Sequence, residues 1–161
     1  MEENKKIRED ILLSVSGLSD EQLNEQLEEG RWTIMQVLDH LYLMERTVVH
    51  AISNQLANGD NKTVAEKPIQ FTTNRSTKVD APSIVVPSDD FITLAEMKNK
   101  LFESREALID VENSADETLL EQRFYPHPMF GELSLKQWIP FIGLHEKRHL
   151  AQIEEIKEKL G

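Results

Sequence analysis

The chain has 161 residues, enough for one domain with a sizeable core, and a single domain over 1–161 is expected. Its formal charge of −11 and pI near 4.9 argue against a non-specific binder of nucleic acid or of anionic membranes. It has no cysteine, which excludes disulfides, thiolate metal ligands and a cysteine nucleophile, and fits a cytoplasmic protein.

Met1-Glu2-Glu3-Asn4-Lys5-Lys6 has no apolar segment, so no secretory signal is expected there. The longest apolar run, Trp138 to Leu144, is too short to span a bilayer. The first helical pattern runs from about Asn4 to Val15, with Ile7, Ile11, Leu12 and Val15 as its stripe and Gly17 as its stop. Ser19-x-x-Gln22 is a capping box that opens a short second piece carrying Leu23 and Leu27, ended by Gly30. Thr33-x-x-Gln36 is another, and starts a long helix whose stripe is Ile34, Val37, Leu38, Leu41, Met44, Val48 and Ile52. About 25 residues at 1.5 Å each make a rod of roughly 38 Å, one side of a bundle.

Asp60 to Asp90 is polar and proline-containing, with one short β-like run, Ser83-Ile84-Val85-Val86. A connection this long is expected to be a crossover between parallel helices, and a cover over a site fits it as well. Thr93-x-x-Glu96 caps the next helix, with Leu94, Met97, Leu101, Leu108 and Val111 turned inward. Asn113 to Leu133 reads mostly as loop, and Ser134-x-x-Gln137 caps the last helix, Leu135 to Leu160. Pro140 in its second turn removes one backbone hydrogen bond and is expected to kink it. Four long amphipathic helices, with no sheet and no repeat, predict an all-α four-helix bundle with a long crossover between the second and third long helices. The stripes serve a homodimer seam as well as a core.

In the last helix, His145 and His149 stand where the stripe calls for Leu or Ile. Residues at i and i+4 share a face, and burying two imidazoles is costly unless each has a partner. A divalent metal would satisfy both; bonds to carbonyls or carboxylates would satisfy them as core histidines. The string His145-Glu146-x-x-His149 matches the zincin motif, with Glu146 as general base. Against a metalloprotease stand the few residues that follow His149 and the lack of a sheet to carry a peptide. A di-iron site needs a second Glu-x-x-His, which the sequence lacks. His40, at a stripe edge of the long helix, is the best third ligand, whereas His50, roughly 15 Å further along, cannot share its site and reads as structural. Zinc, nickel and other borderline divalent ions all accept such a set. Glu146 is a candidate base or a solvated carboxylate. Asp39 is placed to orient a ligand or to face water, and Tyr125, His127 and Phe130 line a mouth or form a packed turn.

Arg31-Trp32-Thr33-Ile34-Met35-Gln36-Val37-Leu38-Asp39-His40-Leu41 resembles the start of the second helix of the DinB/YfiT-like family. His127-Pro-Met-Phe-Gly131, Leu133-Ser-Leu135-x-x-Trp138 and His145-x-x-x-His149-x-x-Gln152-Ile153 are similar to its C-terminal signature, and Ala81-Pro82 and Val86-Pro87 to its proline-bearing loop. The resemblance spans nearly the whole chain. It implies a bundle with a three-histidine divalent metal site at His40, His145 and His149. Known activities of the family are thiol transfer, with bacillithiol, mycothiol or glutathione as nucleophile. Metal-dependent hydrolysis is ascribed to others, and many members have no assigned reaction. A metal-dependent thiol S-transferase or hydrolase acting on a small molecule is therefore expected. A non-catalytic metal-binding or interaction bundle is the rival. Lacking cysteine, the chain would take its thiol from a low-molecular-weight co-substrate.

Overall fold

The computed structural model describes residues 1–76 and 82–160. Four long helices, α1 (Glu2–Val15), α3 (Ile34–Asn58), α4 (Leu94–Ser114) and α6 (Leu135–Lys159), form the bundle, and α2 (Asp20–Leu23) and α5 (Glu117–Gln122) are short. The starts of α2, α3, α4 and α6 are fixed by local caps. Ser19 and Thr33 make reciprocal capping boxes with Gln22 and Gln36, and the Thr93 and Ser134 hydroxyls accept from the amides of Glu96 and Gln137. The second piece is one turn only; residues beyond Leu23 leave the helix, although Leu23 itself is fully buried.

Contacts give the helix directions. Asp39 of α3 lies 3.8 Å from Lys100 of α4, and Glu45 lies 2.7 Å from Arg105, so the two helices are parallel. Asn4 of α1 bonds the Ile139 carbonyl, and Arg8 bonds Glu146, so α1 and α6 are parallel too. His40 meets His145, whereas Val48 and Ile52 pack in a cluster with Leu135 and Trp138, so α3 and α6 are antiparallel. Parallel α3 and α4 require the crossover that the sequence predicts.

The crossover is tied down along its course. Both atoms of the Gln137 amide bond the Lys67 backbone at 2.8 Å, and Asp39 accepts from the Ser88 amide. The run read as β-like is a 3₁₀ turn, Ser83–Val85, with Val85 buried; a second covers Ile69–Thr73. Residues 77–81, and with them Ala81 of the Ala81-Pro82 pair, lie outside the described residues.

Two corrections concern the stretch read as loop before the last helix. It contains α5 and an antiparallel hairpin, β1 (Phe124–His127) and β2 (Gly131–Ser134), so the chain does have a small sheet. Pro126 and Pro128 hide the alternation. A two-stranded ribbon accepts a proline because each strand has a free edge. Trp138 Nε1 donates to the Tyr125 carbonyl at 3.0 Å, and this fastens the hairpin to α6. The α6 helix runs unbroken through Pro140. Gly143 meets α1 so closely that a Cβ would lie 2.1 Å from Asn4 Oδ1, so a side chain there would displace the Asn4 amide from the Ile139 carbonyl.

The core is in two parts. Ile11, Leu41, Leu101 and Ile153 belong to one apolar cluster; Val48, Leu108, Ile142 and Trp138 belong to the other. Between them lies a layer of charge: Arg8, Glu45, Arg105 and Glu146, one from each long helix, all at most 8% exposed. Arg8 donates to both Glu146 oxygens at 2.9 and 2.7 Å and to Glu45 at 3.0 Å. Arg105 joins Glu45 and Glu146 at 2.7 and 2.9 Å, and the Ser104 hydroxyl donates to Glu45 at 2.5 Å. Two positive and two negative groups balance. Among the described residues no buried side-chain nitrogen or oxygen lacks a partner. Burial alone would lower the pKa of Arg8, but Glu146 and then Glu45 hold it above its ordinary value.

Candidate metal centre

One turn from that charged layer, α3 and α6 bring three imidazoles together. The ligating nitrogens of His40, His145 and His149 all lie within 4.8 Å of one another, and His40 Nε2 is 3.1 Å from His145 Nε2. The ring centroids are 4.6–4.9 Å apart. His50 is on the exposed face of α3 and, as its spacing from His40 requires, has no place in the group.

The other ring nitrogens set the tautomers. His40 Nδ1 is 2.8 Å from the Val85 carbonyl, which can only accept, so Nδ1 carries the proton and Nε2 keeps its lone pair. His149 Nδ1 is 2.7 Å from Gln152 Oε1, which fixes the same tautomer there. Histidines that bind metals are commonly held in this way, through the nitrogen that faces away from the ion. Zinc–nitrogen bonds of about 2.0–2.1 Å in a tetrahedral site separate ligand nitrogens by roughly 3.3 Å. The His40–His145 pair already stands near that spacing, and the three residues fit a divalent ion.

All three imidazoles are held neutral. Burial pushes His40 below its ordinary pKa, partly offset by the Val85 carbonyl and the charge of Asp39. Burial, then His149 and His40, puts His145 well below. Burial and then His40 bring His149 down to about 4. A neutral imidazole is the form that ligates a metal.

The centre forms the floor of a cleft of about 430 Å³. Trp32 packs on His40 with ring centroids 5.0 Å apart. His127 and Phe130 help to line the cleft, as the mouth reading expects; Tyr125 does not, and packs on Trp138. His127 Nδ1 accepts from the Met129 and Phe130 amides, and burial lowers its pKa to about 4. Asp39 is buried, bonded to the Ser88 amide and close to Lys100, and so holds the crossover near His40 without touching the ring.

Glu146 needs correcting on both readings. It is 1% exposed, so it is no solvated carboxylate. Its two oxygens are taken by Arg8 and Arg105 within the charged layer, so it is not placed as a general base either. The layer itself was missed, though its members leave a trace: Arg8, Glu45, Arg105 and Glu146 lie four residues after Asn4, Leu41, Leu101 and Ile142, at stripe positions.

The sequence profile of the DinB superfamily matches residues 4–153. The chain belongs to the DinB superfamily. Within reach of that assignment, it is 42% identical over 146 residues to the uncharacterized protein YuaE of Bacillus subtilis, covering 91% of this chain and 90% of that one. It is 28% identical over 152 residues to a Geobacillus kaustophilus protein named "Putative metal-dependent hydrolase GK0616", covering 94% and 79%. Among solved folds, YfiT from Bacillus subtilis, described as a "probable metal-dependent hydrolase with an unusual four-helix bundle topology", superposes with a TM-score of 0.64 at 14% identity, covering 99% of this chain and 85% of that one. That likeness establishes the four-helix bundle fold. No helix among the described residues is long and apolar enough to cross a membrane.

Proposed function

We propose that His40, His145 and His149 hold one divalent metal ion, zinc or nickel, and that this DinB-superfamily chain is a metal-dependent enzyme acting on a small molecule, as a hydrolase or a thiol S-transferase. The observation that carries this reading is the set of three neutral imidazoles converging at the floor of a cleft, two of them with their far nitrogens already bonded. Three histidines leave coordination positions open, the arrangement of catalytic rather than structural sites. A bound divalent ion supplies Lewis acidity, which lowers the pKa of a water or a thiol toward neutrality.

The chain's own residues do the rest. Val85 and Gln152 orient His40 and His149, and the buried Arg8–Glu146 pair sets the rotation of α6 beside His145. Trp32, Phe130 and Phe141 shield the floor from water. The cleft lies within the range of about 300–1,000 Å³ usual for small-molecule sites. With no cysteine in the chain, a transferred thiol would be a co-substrate, and the reducing cytoplasm, where such thiols persist, is the location that fits.

The test is elemental analysis of untagged protein beside His40→Ala, His145→Ala and His149→Ala. The expected result is near-stoichiometric metal that all three variants lose. Thiol-plus-electrophile consumption, measured against ester and amide hydrolysis, then separates the two reactions. No metal uptake at neutral pH after exposure to zinc and to nickel would overturn the reading.

A further inference from the structure

Acidic residues outnumber basic ones 29 to 18 in this chain, so an average stretch of its surface is acidic. The wall of the histidine cleft is the reverse: it contains Arg31, Arg75 and Arg148 and, among the described residues, no carboxylate. The three arginines come from separate places, namely the turn before α3, the crossover, and α6 beside His149. Two of them are fixed. Arg148 Nη1 donates to the Thr72 and Asn74 carbonyls at 3.1 and 2.7 Å, which locks it against the crossover. Arg75 is held by both oxygens of Glu155 at 2.6 and 2.9 Å, and Glu155 itself is not part of the wall. Glu155 offsets the charge of Arg75, and Glu28 at 3.8 Å that of Arg31, from outside the wall, so the face turned to the cleft still presents guanidinium and, among the described residues, no carboxylate. Beside the arginines is apolar surface: Phe71 and Met129 are 59% and 50% exposed at the same cleft.

We propose that the cleft takes an organic anion, a small molecule whose carboxylate or phosphate is held by Arg75 and Arg148 and whose apolar body lies on Phe71 and Met129. The inference rests on the cleft being the substrate site, as proposed above, and adds the charge of the substrate. Arg75 already holds both Glu155 oxygens, so it meets the anion through its charge and its remaining donors, and an anchored guanidinium loses little freedom in doing so.

The probes are 3-phenylpropionate, benzyl phosphate and the uncharged 3-phenylpropionamide. Each is titrated calorimetrically into the untagged protein, stripped of metal and then loaded with zinc. At least one anion is expected to bind about tenfold or more tightly than the amide in both forms, and which of the two does so separates carboxylate from phosphate recognition. The preference should vanish in the Arg75→Gln/Arg148→Gln variant and survive in Arg148→Lys, which keeps the charge and the brace. Because the double variant could loosen the crossover, Arg75→Gln alone is measured as well and should lower the preference about threefold. An amide that binds as tightly as both anions, a preference unchanged in the double variant, or no detectable binding of either anion would overturn the proposal. Anion preference without metal uptake would overturn the metal reading and support this one; stoichiometric zinc without anion preference would do the opposite.

Discussion

The same two helices, α3 and α6, build two buried polar clusters of opposite character. Glu45 and Glu146 enter the charged layer, where every oxygen meets an arginine or a hydroxyl and the charges cancel. His40 and His145, five residues before Glu45 and one before Glu146, enter the imidazole group, where ring nitrogens confront each other across 3.1 Å. At most one of a facing pair of neutral nitrogens can donate to the other, and a divalent ion can instead be held by the lone pairs of both. The charged layer holds the bundle together, whereas the imidazole group keeps ring nitrogens that a divalent ion can use. Both clusters are buried, and what separates them is that the imidazole group faces a cleft with nitrogens able to ligate, whereas the charged layer is enclosed between two apolar clusters.

The comparison breaks hardest at Glu146. Glu146→Ala leaves Arg8 and Arg105 facing a single carboxylate in the core, and removing one partner of a buried ion pair costs about 3–5 kcal/mol. Denaturant unfolding is expected to show a loss of that size, and a loss under about 1 kcal/mol would mean that the layer is not a structural unit. The imidazole group should behave in the opposite manner. Zinc at about 100 times its dissociation constant should stabilise the wild-type protein by about 2.7 kcal/mol, read as a rise in the thermal midpoint, and should leave His149→Ala unmoved. The smallest effect is with pH. His127 and His149 have folded-state pKa values lowered to about 4 from an ordinary 6.5. The stability they contribute is therefore complete above about pH 6.5 and is lost as the pH falls through about 4. Metal-free His127→Phe should show a shallower decline than wild type over that window; parallel curves would show that His127 does not contribute.

How much of this was legible depended on the range of each interaction. Helix starts were readable because Ser19, Thr33, Thr93 and Ser134 cap within three residues of themselves. His145 and His149 were readable because one helix fixes their spacing, and His40 was named from its place at a stripe edge and supported by the family resemblance. The charged layer was not. Arg8 and Glu146 are 138 residues apart, and a charge within a stripe looks like a stripe edge until its partner is known. The turn at Ser83–Val85 misled for another reason: β-branched residues favour strands, yet burying Val85 against α3 and presenting its carbonyl to His40 overrode that preference.

The contact between Val85 and His40 has a consequence for how the protein is made. His40 leaves the ribosome first, Val85 follows, and His145 and His149 come last, more than a hundred residues after His40. The first and last long helices are also neighbours, joined through Asn4 and Ile139. No nascent chain lacking α6 can assemble the three imidazoles, and contacts of such long sequence separation form late in folding. Capture of an ion by all three histidines would therefore have to await the synthesis and docking of α6, and an ion so held would report that the bundle has closed.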